Sequence, residues 1–523
     1  MLAGLIRLLS WLLVRDSSSY VAVPTSPVAK ARRRLDGRRL RYENVVSRIA
    51  WWLDDRLGFG RRDEWLIGFV WFFWLLALCL HHTGTDFLHF TKRLGAVAVS
   101  QLPVLYLLSL KGLNPFALAF GSSHERLNRF HGVLGRLVGL LLVLHAACYN
   151  YFFVVAGIWP RRLLDWIVVC GVVAALGLAA LGATAMASVR RASYRVFFVT
   201  HVLVALMLPL LIFFHAPSVR IYLIEALLAL LFDLGVRKLR SVHSPSTLVL
   251  RPDANLVAVE APVPPHMLRA VSASAGSHVY LSIPPGSGRS ASGPRALDLF
   301  DFLYNPFTVA AVDHQRASIT LVARVRHGPM TRTLARLASS TPAARKVSLT
   351  IDGPYGSMAR QLRHLVAWSP TRVLVIAGGV GATFSLPIYR FLREQLPSAR
   401  IRLIWSVRGL ADAAWASDAG LLPEDDRDVQ LFISGGASAP YDTADTDSAV
   451  EMRSLRQASS PRHRLGRPDL ETIVDDVFRQ GLEEPVAVLV CGPAEMAAEV
   501  RRRVRPWVML GRDVWWHSES FGW

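Results

Sequence analysis

The sequence predicts a multi-domain chain: a six-helix α-helical transmembrane bundle, then an antiparallel β-barrel, then a parallel α/β domain. Three observations predict it. Long apolar runs are confined to roughly the first 240 of 523 residues. Short alternating segments broken by Pro and Gly follow over about 245 to 360. From residue 372 a strand, a glycine-rich turn, a helix and a second strand succeed one another, the order of a parallel sheet with helices on its faces.

The membrane part comes first. Candidate spans lie at about 65–82, 94–110, 131–156, 163–187, 193–215 and 221–236, most of them near the length that crosses about 30 Å of hydrocarbon. Pro103 interrupts the second, a break that neighbouring helices can accommodate. Residues 1–62 carry thirteen Lys and Arg, including the run KARRRLDGRRLR, so this basic segment is expected in the cytosol. Six spans would return the C-terminal half to the same side. The opening MLAGLIRLLSWLLV has the length of a signal peptide but neither its basic start nor its small-residue cleavage site, and an anchoring or interfacial helix is expected there. The net charge of +20 is accounted for by basic residues flanking membrane spans, so anionic lipid is the expected partner and no nucleic acid is implied. Four cysteines give no disulfide framework. Cys79, Cys148 and Cys170 read as packing residues in apolar spans.

Within those spans the histidines form two matched pairs. His131 and His145 are fourteen residues apart, and so are His201 and His215. Fourteen residues is just under four turns, so both members of a pair lie near one helix face, about 21 Å apart along the axis. A single histidine in an apolar helix is readily a hydrogen-bonded packing residue. The same spacing recurring in two spans, where ionisable groups are costly, points instead to iron ligation. Two such helices side by side would hold two stacked haems, each with two imidazole ligands and no vacant coordination site. His81, His82, His89 and His124 lie near helix ends or in polar turns and read as interfacial or solvated.

The soluble half begins after Arg240. STLVLRPDANLVAVEAP, SHVYLSIP, SITLVARVR and KVSLTIDGPYG read as barrel strands. NPFTVAAV joins them with Asn305, Pro306, Phe307 and Thr308, where an aromatic ring and a hydroxyl suit either a flavin or an ordinary strand. HGPMTRTLARL adds a turn at Gly328 into a helix whose Thr331 and Arg332 can cradle a pyrophosphate. In AGGVGATFSLPI, the loop of Gly378, Gly379, Gly381 and Thr383 follows an apolar strand and opens a helix, the arrangement that brings backbone N–H groups to a pyrophosphate. Ser406 and Arg408 end the next strand, placed for a ribose 2′-phosphate, the group that separates NADPH from NADH. Cys491, Gly492 and Pro493 follow a third strand at the carboxyl edge, where ligands bind. Cys491 and Arg408 are equally residues of ordinary packing and surface. The terminal ESFGW, with Phe521 and Trp523, is an aromatic end able to cover a flavin face. Residues 285–296 and about 435–467 read as flexible surface insertions.

Taken together, RLNRFHGVLGR with the two histidine pairs, NPFTVAAV, DGPYG, AGGVGAT, CGP and SFGW resemble the ferric reductase and NADPH oxidase family, in particular the fungal ferric reductase-like transmembrane proteins. The likeness runs from about residue 65 to 523. Beyond the basic N-terminal segment that composition sets apart at 1–62, it implies a transmembrane haem-binding domain at 63–240, an FAD-binding barrel at 241–360 and a ferredoxin-reductase-like NADPH-binding domain at 361–523. It implies that His131 and His201 ligate an inner b-type haem and His145 and His215 an outer one. By the same resemblance Phe307 and Thr308 contact FAD, Thr331 its phosphate, Gly378 through Thr383 the nicotinamide nucleotide, and Phe521 or Trp523 the flavin. One departure stands out: the family's flavin motif begins with histidine where this chain has Asn305, so altered FAD binding is expected.

The implied activity is electron transfer from cytosolic NADPH through FAD and two haems to an acceptor across the plasma membrane or the endoplasmic reticulum. Ferric chelate is favoured as acceptor on family likeness, with molecular oxygen, as in a superoxide-generating NADPH oxidase, the competing one. A haem-holding member without electron transfer is the reading from a different class, with Asn305 as its support. A transporter would have no need of the reductase-like C-terminal half.

Overall fold

The structure, a computed structural model, describes residues 45–57, 60–284, 304–326, 328–340, 346–422, 426–435, 463–480 and 484–519. These fall into two compact units that divide near Arg240. Residues 436–462 of the insertion expected at about 435–467, the one expected at 285–296, and Phe521 and Trp523 lie outside the described residues.

The first unit is helical. Its main helices are α1 (Arg62–Leu80), α2 (Phe87–Ser100), α3 (Leu102–Ser109), α4 (His124–Val155), α5 (Trp166–Thr184), α6 (Tyr194–His215) and α7 (Arg220–Arg240). Among the described residues α1, α4, α5 and α6 are long and apolar enough to cross a membrane. Their apolar side chains face outward as well as inward, with Phe73 and Trp74 of α1 each 62% exposed, as a hydrocarbon solvent permits and water does not. The other two expected spans differ from a continuous apolar helix. The run at 94–110 is divided at Gln101, where α2 ends and Pro103 takes its place in the first turn of α3. A proline there gives up no hydrogen bond that the helix start would otherwise make. The run at 221–236 lies in α7, which carries Glu225 and Asp233 and begins and ends in arginine.

Polar contacts fix the helix register. Arg129 of α4 pairs with Asp63 of α1 at 2.6 Å, and Arg93 of α2 donates to the Leu78 carbonyl near the end of α1. Asp233, only 3% exposed, accepts from the backbone N–H groups of Gly112 and Leu113 at 2.9 and 2.8 Å and of Lys111 at 3.4 Å. A carboxylate that satisfies several buried donors leaves each orphaned when removed. Asp233→Ala is therefore expected to destabilise the unit by about 2–4 kcal/mol, read as a fall in the melting temperature of the detergent-solubilised protein. An unchanged melting temperature would contradict the anchoring role.

The second unit opens with a closed antiparallel barrel of β1 (Val242–Arg251), β2 (Leu256–Pro262), β3 (His278–Ser282), β4 (Asn305–Asp313), β5 (Ser318–Arg324) and β6 (Val347–Tyr355), in the order β1-β2-β5-β4-β3-β6. Strand alternation sends Val257, Val259, Val279, Leu281, Leu321 and Ile351 into its core. Closure leaves no free edge. Helix α8 (Pro265–Ser272) and helix α9 (Pro329–Ser340) pack on it, and α10 (Met358–Trp368) leads out.

A six-stranded sheet follows: β7 (Arg372–Gly378), β8 (Arg400–Val407), β9 (Val429–Ile433), β10 (His463–Leu465), β11 (Val486–Cys491) and β12 (Val514–Glu519), in the order β10-β9-β8-β7-β11-β12. Every neighbouring pair is parallel. The central strands are near-continuous apolar runs because helices α11 (Ala382–Gln395), α12 (Leu470–Arg479) and α13 (Ala494–Met509) cover them. The chain steps from β7 outward to β10, then returns to the other side of β7. The switch point lies between β7 and β11, where a crevice opens at the carboxyl ends of the strands.

Candidate cofactor-binding sites

The structure brings the paired histidines together across helices. His131 of α4 faces His201 of α6 with ring centres 5.9 Å apart, and His145 faces His215 at 6.3 Å. Two imidazoles bonded on opposite sides of one metal, at about 2 Å per metal–nitrogen bond and about 1.2 Å from nitrogen to ring centre, stand roughly 6.4 Å apart. The ring positions therefore suit a shared metal. The Nδ1 atoms of His131, His145 and His215 lie 2.9, 2.8 and 2.7 Å from the carbonyls of Leu105, Thr91 and Ile167. A carbonyl only accepts, so Nδ1 carries the proton and Nε2 keeps the lone pair that a metal needs. Nδ1 of His201 is buried with no hydrogen-bond partner. These carbonyls escaped sequence reading because a backbone acceptor has no residue signature. Among the described residues no group of three or more metal-ligating side chains gathers; a haem iron at either pair would be held by its two histidines.

On the barrel, pairing sets Thr308 opposite His278, and His278 opposite Tyr355. The next row is Pro306, Tyr280 and Asp352. The His278 ring lies 6.1 Å from Tyr355 in a stacked arrangement and 5.5 Å from Tyr280, and the Tyr355 hydroxyl donates to Asp352 at 2.8 Å. This polar and aromatic face is where a flavin ring would find a hydroxyl and flat neighbours. Phe307 is placed otherwise than the sequence reading had it. It is 8% exposed and packs with Val279 and Val309 in the barrel core, because strand alternation turns it away from Thr308. Asn305, half-buried at the start of β4, pairs with Leu281. His278, Tyr280 and Tyr355 were missed, although the alternation in SHVYLSIP places His278 and Tyr280 on one face.

Gly328 precedes α9 with open space around it, and α9 has no acidic residue in its first turn, so its N-terminus is receptive to phosphate. Thr331 turns its hydroxyl toward the Arg326 backbone, accepting from the N–H at 3.2 Å, and so shapes the turn.

At the sheet's crevice the glycine loop and the Cys491–Pro493 loop are pressed together. A Cβ on Gly378 would stand 2.6 Å from Pro493 Cδ, and one on Gly381 would stand 2.7 Å from the Cys491 carbonyl carbon. Gly492 is likewise closed in by Met496 and Gly378. Gly379 adopts φ +54°, which glycine takes without strain, and its carbonyl accepts from Trp405 Nε1 at 2.9 Å. Thr383 is buried and bonds the Val380 carbonyl. Ser406 stands beside Gly378 in the sheet register. Arg408 is exposed, and its backbone N–H is held by Asp412, which also pairs with Arg324 of the barrel at 2.8 Å. Cys491 is fully buried. Burial, with the Glu519 carboxylate adding to it, holds its thiol well above the ordinary value and neutral. Glu519 pairs with Cys491 in the sheet register, a neighbour that no sequence motif announced. A cleft of about 560 Å³ opens at the opposite edge of the sheet around Arg372, Arg393 and Arg400. Glu484 pairs with Arg372, and Asp426 and Asp428 with Arg393.

Comparison with known proteins gives the same two-part division. Residues 94–212 match the family of the ferric reductase like transmembrane component, and residues 371–505 match the ferric reductase NAD binding domain. Both stretches are thus similar to the two parts of ferric reductases. It is 25% identical over 466 residues to ferric/cupric reductase transmembrane component 2 of Schizosaccharomyces pombe, covering 82% of this chain and 80% of that one. It is 24% identical over 488 residues to the probable metalloreductase AIM14 of Scheffersomyces stipitis, covering 87% and 86%. Among solved structures, a ferredoxin NADP+ reductase from Neisseria gonorrhoeae is 14% identical with a TM-score of 0.35, covering 53% of this chain and 98% of that one. The chain is a membrane protein with a region that matches an NAD-binding domain.

Proposed function

We propose that this chain carries electrons across a membrane, taking them from NADPH and delivering them to ferric iron, the acceptor substrate, by way of FAD on the barrel and two b-type haems between the histidine pairs. The observation that carries the reading is the pair of facing histidines repeated at 5.9 and 6.3 Å in a chain that also holds a barrel and a parallel nucleotide-binding sheet. When bound, FAD divides a two-electron donor into single electrons, and haem carries them singly.

The residues have separable roles. His131 with His201, and His145 with His215, offer Nε2 to the two irons, while the carbonyls of Leu105, Thr91 and Ile167 hold three of the rings in orientation. Thr308 and Pro306 border the flavin ring on the face shared with His278 and Tyr355, and Asn305 approaches it from the start of β4. Gly328 and Thr331 shape the turn for its pyrophosphate. Gly378 through Thr383 present the N-terminus of α11 to the NADPH pyrophosphate, and Ser406 and Arg408 meet the 2′-phosphate. Gly492 and Pro493 close the crevice, Cys491 fixes its floor as a neutral thiol, and Phe521 or Trp523 covers the flavin. The proposal includes the domain limits at 62, 240 and 360, six crossings with α2–α3 and α7 as the remaining two, both termini in the cytosol, and residence in the plasma membrane or endoplasmic reticulum.

A guanidinium on a phosphate contributes about 1.5–3 kcal/mol. Arg408→Ala is accordingly expected to raise KM for NADPH about tenfold to a hundredfold and leave that for NADH unchanged. Equal losses for both nucleotides would place Arg408 elsewhere. The reading as a whole is tested in sealed vesicles with NADPH outside and a ferric chelate with a ferrous indicator trapped inside. Ferrous iron appearing inside is the expected result, and ferrous iron formed only on the NADPH side would contradict transmembrane transfer. Superoxide formed in preference to ferrous iron would make oxygen the acceptor.

A further inference from the structure

The four acceptor positions opposite the histidines follow a pattern with one exception. On one side of the bundle, Thr91 and Leu105 are fourteen residues apart, matching His145 and His131 of antiparallel α4. On the other side, Ile167 accepts from His215, and fourteen residues on from Ile167 stands Leu181. Its carbonyl is taken by the Thr184 hydroxyl at 3.2 Å and the Ala185 N–H at 2.9 Å, and His201 Nδ1 has no partner. The outer pair is thus held from both sides and the inner pair from one.

A second feature singles out the same outer pair. One turn beyond Thr91 is Gly95, and one turn beyond Ile167 is Gly171. A Cβ on Gly95 would stand 2.8 Å from both Cε1 and Nδ1 of His145, and a Cβ on Gly171 would stand 2.6 Å from Cε1 and 2.8 Å from Nδ1 of His215. Real side chains do not tolerate such distances, and here the neighbour is a rigid ring tethered by its own hydrogen bond. Glycine within a helix costs stability relative to alanine, so its presence at both equivalent positions calls for a reason. The helix surface there must be bare for the imidazole to reach the carbonyl one turn back.

We propose that Gly95 and Gly171 are positioning residues for His145 and His215: each clears the space in which the imidazole lies flat on the neighbouring helix, donates Nδ1–H to the carbonyl four residues earlier, and turns Nε2 to the outer iron. This rests on the haem reading above. A methyl at either position pushes the ring off its carbonyl, removing both the orientation and the hydrogen bond that raises the ligand's basicity. Inner-pair ligation through His131 and His201 is untouched by either change.

The test uses the full chain purified in detergent, with Gly95→Ala, Gly171→Ala, and Gly182→Ala as the control, since Gly182 lies on the same helix as Gly171 with nothing within 4 Å. Haem per polypeptide and the low-field electron paramagnetic resonance line of low-spin haem are measured. Gly95→Ala and Gly171→Ala are expected to lose about half of the haem or to shift the line of one of the two haems, while Gly182→Ala keeps both. Two haems with unshifted lines in the first two variants would overturn the proposal. Stability gives a readout that needs no haem: Gly95→Ala should lower the melting temperature by about 5 °C or more in the parent and leave it unchanged or raise it in a His145→Ala background, where the ring is gone and alanine's helix propensity is all that remains. The same loss in both backgrounds would overturn the steric link. A parent chain without low-spin haem would refute the haem reading itself, and the stability cycle would still decide whether the glycines place the rings.

Discussion

Replacing His145 or His215 by alanine is expected to halve the low-spin haem content and to lower ferric-chelate reduction on the order of 100-fold or more. Each histidine is one of two proposed ligands whose rings stand 6.3 Å apart, and no third metal-ligating side chain joins the pair among the described residues. With alanine there, a single imidazole would hold the proposed iron, and its spin state and potential would change together. The inner pair supplies the internal control, since His131 and His201 sit about 21 Å away along the helices. Their haem should still be reduced by NADPH in the outer-pair variants. Loss of NADPH reduction of both haems in His145→Ala would contradict the order of the chain of carriers. Full activity in either variant would remove histidine ligation from the account.

Gly381→Ala is the second change with a large expected effect, and its cause is steric. The backbone at Gly381 has φ −59°, which any residue adopts, so the requirement is for space alone. Its Cβ would enter the Cys491 carbonyl group, and the loops after β7 and β11 would have to separate at the switch point of the sheet. Over-packing of this kind costs about 1–3 kcal/mol. Because the strain falls on the two loops that border the nucleotide crevice, the variant is expected to raise KM for NADPH at least about tenfold with the haems still reducible by dithionite. Normal NADPH kinetics in a folded Gly381→Ala protein would show that the crevice does not hold the nucleotide.

Much of this was legible in the sequence, for reasons tied to period and spacing. The fourteen-residue repeat of histidine survives folding because an α-helix keeps residues at that separation near one face, and the structure sets His131 against His201 and His145 against His215. The strand–glycine–helix order at 372–395 and the alternation in the barrel likewise translate directly into parallel and antiparallel sheets. What escaped depends on tertiary register. Pro103 signalled the break in the run at 94–110, and the structure puts the division at Gln101, between α2 and α3. Phe307 read as a flavin neighbour for its aromatic ring and the family likeness, yet adjacent residues on a strand face opposite ways and its ring packs in the barrel core. His278 reaches Thr308 only through the pairing of β3 with β4, and Glu519 reaches Cys491 only through that of β12 with β11. Gly95 and Gly171 looked like ordinary small residues of membrane helices until the rings they accommodate were in place.

The most direct test of the central claim is an anaerobic visible spectrum of the purified, FAD-supplemented protein before and after NADPH, with haem and polypeptide quantified in the same sample. The account predicts two haems per chain with low-spin b-type bands that become reduced on adding NADPH alone. Haem bands that stay oxidised with NADPH and respond only to dithionite would contradict it, leaving a haem-holding membrane protein whose nucleotide domain does not feed electrons to it.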